Sequence, residues 1–278
     1  MSLTNGTESA SKPRGLGEVY VVTSGKGGVG KTTATASIGA ALALKGKRTL
    51  VIDADIGLRN LDVILGLENR VVFNLVDVAK KICKPYQAII KSKKSSNLYL
   101  LPASQTDEKD VVDETEVREV IQQYRREFHF VLIDSPAGIE QGFKNACAAA
   151  EKALVVATPE VASVRDADRV VGLLAAGGIE AQLIINRIDF DMVRRGDMLS
   201  VEDVQEILGI ELIGVVRRDD EVIVAANCGE PIAYNPKSEA GLAFNRIAGR
   251  LCGENIPVTD YVSGGSFWGR VGRRLGVV

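Results

Sequence analysis

Apolar, β-rich runs recur along the chain at residues 19–23, 49–52, 98–101, 130–133, 153–157, 182–185 and 212–216. Most are continuous rather than alternating, which is the pattern of strands covered on both faces. Segments with apolar residues three or four apart lie between several of them, at 115–128, 166–176 and 201–208. An Ala-rich stretch at 32–44 reads as a further amphipathic helix. Strand and helix in alternation predict an α/β chain, a single domain whose mostly parallel β-sheet is covered by helices. Ligands of such sheets sit beyond the carboxyl ends of the strands, so the residues that terminate the runs carry the chemical reading.

The first run, Val19-Tyr20-Val21-Val22, leads into Gly25-Lys26-Gly27-Gly28-Val29-Gly30-Lys31-Thr32-Thr33, and the 32–44 helix leads out. The loop fits G-x-x-x-x-G-K-[ST] and has the strand, loop and helix order that the pattern needs. Glycines let backbone N–H groups converge on phosphate oxygens, Lys31 neutralises the β/γ charge, and the Thr32 hydroxyl is placed to ligate Mg²⁺. A P-loop NTPase is predicted, with Gly25, Lys26, Gly27, Gly28, Val29, Gly30, Lys31, Thr32 and Thr33 holding a nucleoside triphosphate. Lys26 is an extra cation. A lysine in a glycine loop can point into water, but the backbone and Lys31 already serve this loop's phosphates, so Lys26 has most to do on another subunit's nucleotide.

Two of the strand runs end in acids, at Asp53-Ala54-Asp55 and at Asp134-Ser135-Pro136-Ala137-Gly138. An aspartate after a strand is commonly a turn or helix-cap residue. Beside a P-loop it has another use, because Mg²⁺ needs carboxylates, direct or through water, opposite the phosphates. Asp134 takes that role here. Asp53 and Asp55 stand two residues apart at the end of this strand, and one is expected to approach Mg²⁺ and Thr32 while the other orients the attacking water.

The glycine loop with its first lysine resembles the deviant P-loop ATPases, in which that lysine contacts the partner's ATP across a face-to-face dimer. The segments Asp53-Ala54-Asp55-Ile56-Gly57-Leu58-Arg59-Asn60-Leu61-Asp62, Leu101-Pro102-Ala103-Ser104-Gln105-Thr106, Asp134-Ser135-Pro136-Ala137-Gly138-Ile139-Glu140, Ser163-Val164-Arg165-Asp166-Ala167-Asp168-Arg169 and Arg195-Gly196-Asp197-Met198-Leu199-Ser200 extend the likeness. Together they are similar to the MinD branch of that family, the membrane-associated ATPases that position bacterial and plastid division sites. The likeness runs from about Glu18 onward and implies ATP and Mg²⁺ as cofactors. It makes Lys26, Lys31 and Asp55 catalytic, with Asp55 orienting water in the first switch. Thr32, Asp53 and Asp134 fall on the metal side, Gly138 in the second switch, and Asn186 at the adenine-reading position, where an amide both donates and accepts. One departure stands out. After the 212–216 strand the family shows a proline and acidic residues near the adenine pocket, whereas this chain has Arg217-Arg218-Asp219-Asp220.

Asp166 and Asp168 lie on a helix of mixed charge, which by itself reads as a solvated face with local ion pairs. The resemblance implies the alternative, that both contact a partner of the dimer, namely a division inhibitor of the MinC kind and an ATPase activator of the MinE kind.

Past Pro257 the core pattern stops. Residues 257–265 read as a linker, and 266–278 as an amphipathic helix. At roughly 100° per residue, Phe267, Trp268, Val271, Leu275 and Val278 share one arc, beside a basic flank of Arg270, Arg273 and Arg274. Such a helix is about 20 Å long, too short for a ~30 Å hydrocarbon core, and is expected to lie in the plane of an anionic membrane surface. The alternative is a terminal helix docked on the domain. Two copies on a dimer strengthen attachment by roughly 10²–10⁴ over one, so ATP-driven dimerisation would raise membrane affinity and hydrolysis would release it.

Residues 18–256 are assigned to the ATPase domain, and 1–17, polar with Pro13, to a flexible extension. No run is long and apolar enough to predict a membrane span, so the expected location is the cytoplasm and the inner face of the cell membrane, or the plastid stroma and inner envelope. A net charge of −2 argues against nucleic acid as a partner, and hence against the rival reading of a ParA-like partition ATPase on DNA. Cys83, Cys147, Cys228 and Cys252 are far apart, which argues against an iron–sulfur carrier and suggests reduced thiols, buried or partly buried. His129, at the start of a strand, is expected to be a solvated edge residue.

Overall fold

The structure, a computed structural model, describes residues 15–108 and 111–258. The expected linker beyond Val258, the amphipathic segment 266–278 and the extension up to residue 14 lie outside the described residues. The strands are β1 (Glu18–Thr23), β2 (Thr49–Asp53), β3 (Ile90–Lys91), β4 (Leu98–Leu101), β5 (Phe130–Asp134), β6 (Lys152–Ala157), β7 (Glu180–Ile188) and β8 (Glu211–Arg217). They form one sheet in the order β3-β4-β2-β5-β1-β6-β7-β8, parallel except for the short edge strand β3. The helices are α1 (Lys31–Leu44), α2 (Leu61–Ile64), α3 (Leu75–Ala79), α4 (Pro85–Ala88), α5 (Glu114–Tyr124), α6 (Gln141–Cys147), α7 (Val161–Ala176), α8 (Phe190–Arg195), α9 (Val201–Leu208), α10 (Glu221–Asn227) and α11 (Glu239–Leu251).

Both faces of the sheet are dry, which is why the strand runs are continuous. In β1, Val19 and Val21 join a core with Leu50, Ile133 and Val155, packed under α5, α6 and α7. Tyr20 and Val22 point the other way and join Val51, Leu132 and Leu154 with residues of α1 and α11. The central strand is therefore held from both sides, and its carboxyl end, where the glycine loop begins, is fixed by the two largest cores of the described residues.

Helix α1 departs from the amphipathic expectation. Its residues from Ala34 to Ala43 are buried on every side, because it lies between the sheet, α2 and α11. Small side chains permit that depth: a Cβ on Gly39 would stand 2.5 Å from a methyl of Val51. A helix buried all round shows no polar stripe.

The remaining differences are local. Helix α5 ends at Tyr124, and the residues expected to continue it turn back to set Phe128 edge-on to Tyr99 and Tyr124. Helix α7 starts at Val161, earlier than its periodicity showed, after a turn in which the Thr158 N–H donates to Ser163 Oγ. Cys228 is exposed, against the expectation of a buried or partly buried thiol, because α10 offers no buried position. His129 is half-buried rather than solvated. Its Nδ1 accepts the Arg48 N–H at 3.1 Å, and burial pushes its pKa down. It also stands at the opposite end of β5 from Asp134.

Candidate nucleotide-binding site

The glycine loop connects β1 to α1, so the N–H groups that α1 cannot satisfy internally open toward the carboxyl edge of the sheet. Gly30 has φ +95°, and a Cβ there would sit 2.4 Å from Asn186 Nδ2. Gly25 is confined in another way, with space for its Cβ taken by the backbone of Asp166 at 2.2 Å. No side chain fits at either point. At Gly27 and Gly28, in contrast, nothing lies within 4 Å of a Cβ, which leaves room in front of the loop. A cavity of about 480 Å³ fills that space, lined by the loop, Asp55, Asn60, Pro136 and Arg187.

Of the predicted acids, Asp55 lines that cavity, while Asp134 and Asp53 stand together at the ends of β5 and β2, with Asp134 bonded to Lys31 of the loop. Asp134 is 1% exposed, and its Oδ1 accepts from Lys31 Nζ at 2.9 Å and from Thr35 Oγ1 at 3.2 Å. Asp53 is its register partner on the neighbouring strand, so two buried carboxylates stand side by side. Burial, followed by repulsion from Asp134, raises the Asp53 pKa well above the ordinary carboxylate range. Burial also raises that of Asp134, against the pull of Lys31. Asp53 is further engaged by the segment that follows it: Oδ1 accepts the Asp55 N–H, and Oδ2 accepts those of Asn60 and Leu61 at 3.1 Å. Asp55 lines the cavity, and its buried Oδ1 has no hydrogen-bond partner.

This donor set fits a divalent cation. Among the described residues no three acids group closely enough to hold a metal by themselves, and both Asp53 oxygens are taken by N–H groups. The fit is therefore that of Mg²⁺ brought with a phosphate, for which the Thr32 hydroxyl and the Asp134 carboxylate, direct or through water, are suitable oxygen ligands. Lys31 alone offsets the charge of Asp134 within the described residues. A triphosphate entering the loop would compete for that lysine and leave Asp134 to the metal.

The segment expected from the resemblance to be a second switch follows β5. Gly138 has φ +93° and donates its N–H to the Ser24 carbonyl at 3.2 Å, tying that segment to the first residue after β1. Lys26 is exposed on the cavity rim. Asp166 is half-buried with its backbone against Gly25, while Asp168 is exposed further along α7.

A second cavity of about 760 Å³ adjoins the first, and Gly30, Thr33 and Arg187 line both. Asn186 reaches it from β7 with its Nδ2 donating to the Val29 carbonyl at 2.8 Å. The amide oxygen is left for a ligand that donates, such as the adenine amino group. Sequence reading missed Arg187. It has φ +58°, and its Nη1 donates to the Gly28 carbonyl at 2.8 Å, bracing the loop from outside. Its position directly after Asn186 was the available signal. Asp219 was also missed as a structural residue: it accepts from Ser238 Oγ at 2.6 Å and from the Ala240 and Glu221 N–H groups. Although burial opposes it, these bonds hold its pKa below the usual value.

Residues 20–232 match the CobQ/CobB/MinD/ParA nucleotide binding domain. The chain is 50% identical over 246 residues to the septum site-determining protein MinD of Bacillus subtilis, which spans 87% of this chain and 92% of that protein. Its fold superposes with a TM-score of 0.82 on a chain of the MinC:MinD cell division protein complex of Aquifex aeolicus, at 48% identity over 88% of this chain and 99% of that one. MinD of Pyrococcus horikoshii, solved with Mg-ADP, gives a TM-score of 0.78 at 29% identity over 85% and 96% of the two chains. The glycine loop, the acids after β2 and β5 and this likeness along nearly the whole described length agree, and the chain belongs to the MinD family of the CobQ/CobB/MinD/ParA nucleotide-binding proteins.

Proposed function

We propose that the chain is an ATP hydrolase acting as a membrane switch for placing the division site of a cell or plastid. In this reading ATP phosphates enter the cavity before the glycine loop, Lys31 leaves Asp134 for the β/γ-phosphates, and Asn186 reads the adenine. Thr32 and Asp134 would hold Mg²⁺, which when bound supplies positive charge to the phosphates. Asp53 keeps the first switch in place through its bonds to the Asp55, Asn60 and Leu61 N–H groups. Asp55, which lines the cavity and has one carboxylate oxygen without a partner, orients the water that attacks in line. Catalysis of this kind rests on position and charge rather than on a strong base.

The observation that carries the switch reading is the division of labour between two lysines. Lys31 is 8% exposed inside the site, whereas Lys26 stands exposed on the rim of the same cavity. A cation so placed completes a second subunit's site, so two chains close face to face on ATP. The dimer presents two copies of 266–278 to an anionic membrane, with Phe267, Trp268, Val271 and Leu275 inserted and Arg270, Arg273 and Arg274 at the headgroups. It offers Asp166 and Asp168 on α7 to a MinC-like inhibitor and to a MinE-like activator. Among the described residues no helix is long and apolar enough to cross a membrane.

Trp268 is the single tryptophan of the chain and makes the test direct. With ATP and anionic vesicles its emission shifts to shorter wavelength, with smaller shifts in ADP or on neutral vesicles. Val271→Asp with Leu275→Asp removes the shift while ATP binding persists. Emission that is already blue-shifted in buffer and unchanged by vesicles would mean a docked helix and end the membrane reading.

A further inference from the structure

The polar groups around the second cavity are mostly committed to the protein itself. Asp219 caps the starts of α10 and α11, and Asp189 Oδ1 accepts the Asp191 and Met192 N–H groups at the start of α8. Arg218 is exposed and sits 3.9 Å from Asp220. Asn186 Nδ2 is bonded to Val29. Arg217 differs. It ends β8, faces the same cavity as Asn186, and carries a guanidinium fixed from two directions. Its Cζ lies 4.7 Å from the centroid of the Phe190 ring, and its Nη1 donates to Glu239 Oε2 at 3.1 Å.

A guanidinium set on an aromatic ring has one face covered and one free, and the half-exposed ion pair with Glu239 at its edge adds a second, weaker restraint. Such a group is a flat, cationic, weakly hydrated plate. Its natural ligand is another flat group with an electron-rich face, and a purine presents more of that face than a pyrimidine. The geometry ties this plate to the phosphate site: Gly30 and Thr33 of the glycine loop line the Arg217 cavity as well as their own. A nucleotide whose phosphates are on the loop has its base in reach of β7 and β8, with buried Phe244 behind.

Building on the proposed ATP reading, we infer that Arg217 is a base-stacking residue that fixes the purine against the end of β8 and sets the preference of this chain for purine over pyrimidine nucleotides. Phe190 and Glu239 are positioning residues, which act through Arg217 and do not touch the ligand. Asn186 reads the edge of the base and Arg217 its face. Arg218, paired in solvent, has no part in this.

Equilibrium binding to the full chain separates the outcomes. The probes are ATP, CTP and inorganic tripolyphosphate, the last having no base. Arg217→Ala weakens ATP by about tenfold, a typical loss for a partly desolvated cation–π contact, narrows the ATP-to-CTP ratio, and leaves tripolyphosphate unchanged. Arg217→Lys fails to restore the ratio, because an ammonium has no planar face. Glu239→Gln gives a smaller loss in the same direction. Equal weakening of ATP and tripolyphosphate would make Arg217 a phosphate contact and overturn the inference, as would an unchanged ATP-to-CTP ratio in Arg217→Ala. Wild-type chain that binds neither ATP nor tripolyphosphate would sink the ATP reading itself, and this inference with it. Far-UV circular dichroism and the tripolyphosphate affinity of each variant report that the fold is intact.

Discussion

The two cavities that meet at Gly30 are built by opposite means. The phosphate cavity rests largely on backbone: glycines with no room or no obstacle at Cβ and a helix start, beside Asp53 held by N–H groups and Asp134 held by Lys31 and Thr35. The base cavity is made of side chains at the ends of β7 and β8, several braced by other side chains. Backbone geometry tolerates little substitution, since a residue other than glycine at Gly25 or Gly30 meets atoms at 2.2–2.4 Å. A cavity walled by side chains can change its lining without moving the frame. In the proposed reading one end of the nucleotide site is set by the fold, and the other, where Arg217 and Arg218 stand, is open to adjustment.

The sharpest way to break this contrast is to remove the one side chain on which the phosphate cavity depends. Lys31→Ala is expected to lower ATP affinity by at least about a hundredfold, because charge-assisted bonds to phosphate are lost and Asp134 is left buried without its cation. Isothermal titration checks this, and unchanged affinity would refute the assignment of the loop. Asp55→Ala should lower the rate of hydrolysis by about a hundredfold, within the usual range for a residue that orients the attacking group. Its ATP affinity should stay near the wild-type value. A folded Asp55→Ala protein with wild-type turnover would show that water is positioned elsewhere.

Smaller changes sharpen the contrast at its seam. Asn186 faces the base cavity but donates to Val29 in the glycine loop, so Asn186→Ala is expected to weaken ATP by about tenfold and tripolyphosphate by less. A loss confined to ATP would mean that the bond to Val29 does not hold the loop. The smallest effect is expected at Ser238, which bonds Asp219 Oδ2 and accepts the Gly241 N–H at the start of α11. Ser238→Ala should cost about 1 kcal/mol of stability in urea denaturation, a typical loss for a helix cap, with ATP affinity within about twofold. A larger effect on ATP than on stability would show that the bracing of the base cavity reaches the ligand.

The same contrast explains what could be read from the sequence. Strand runs, the glycine loop and the acids after β2 and β5 were legible because each is a local pattern with one structural solution. The short edge strand β3 carries no periodicity in two residues. Helix α1 looked amphipathic, although α11, far along the chain, covers its other side. Asp53 was read as an acid facing the metal, yet its bonds to Asn60 and Leu61 depend on how the chain turns after β2. Arg187 and Arg217 gain their roles from neighbours distant in sequence, Gly28 for one and Phe190 and Glu239 for the other. Residues whose work is done through the backbone announce themselves, and residues whose work is done through other side chains do not.

In the proposed function Lys26, on the rim of the phosphate cavity, joins two chains through ATP while Lys31 holds the nucleotide within one. Sedimentation velocity on Lys26→Ala, beside the wild type and with nucleotide binding measured on the same samples, tests it directly. The wild-type chain should be a dimer in ATP and a monomer in ADP, and Lys26→Ala should bind ATP and remain a monomer. A Lys26→Ala protein that still forms an ATP-dependent dimer would contradict the account.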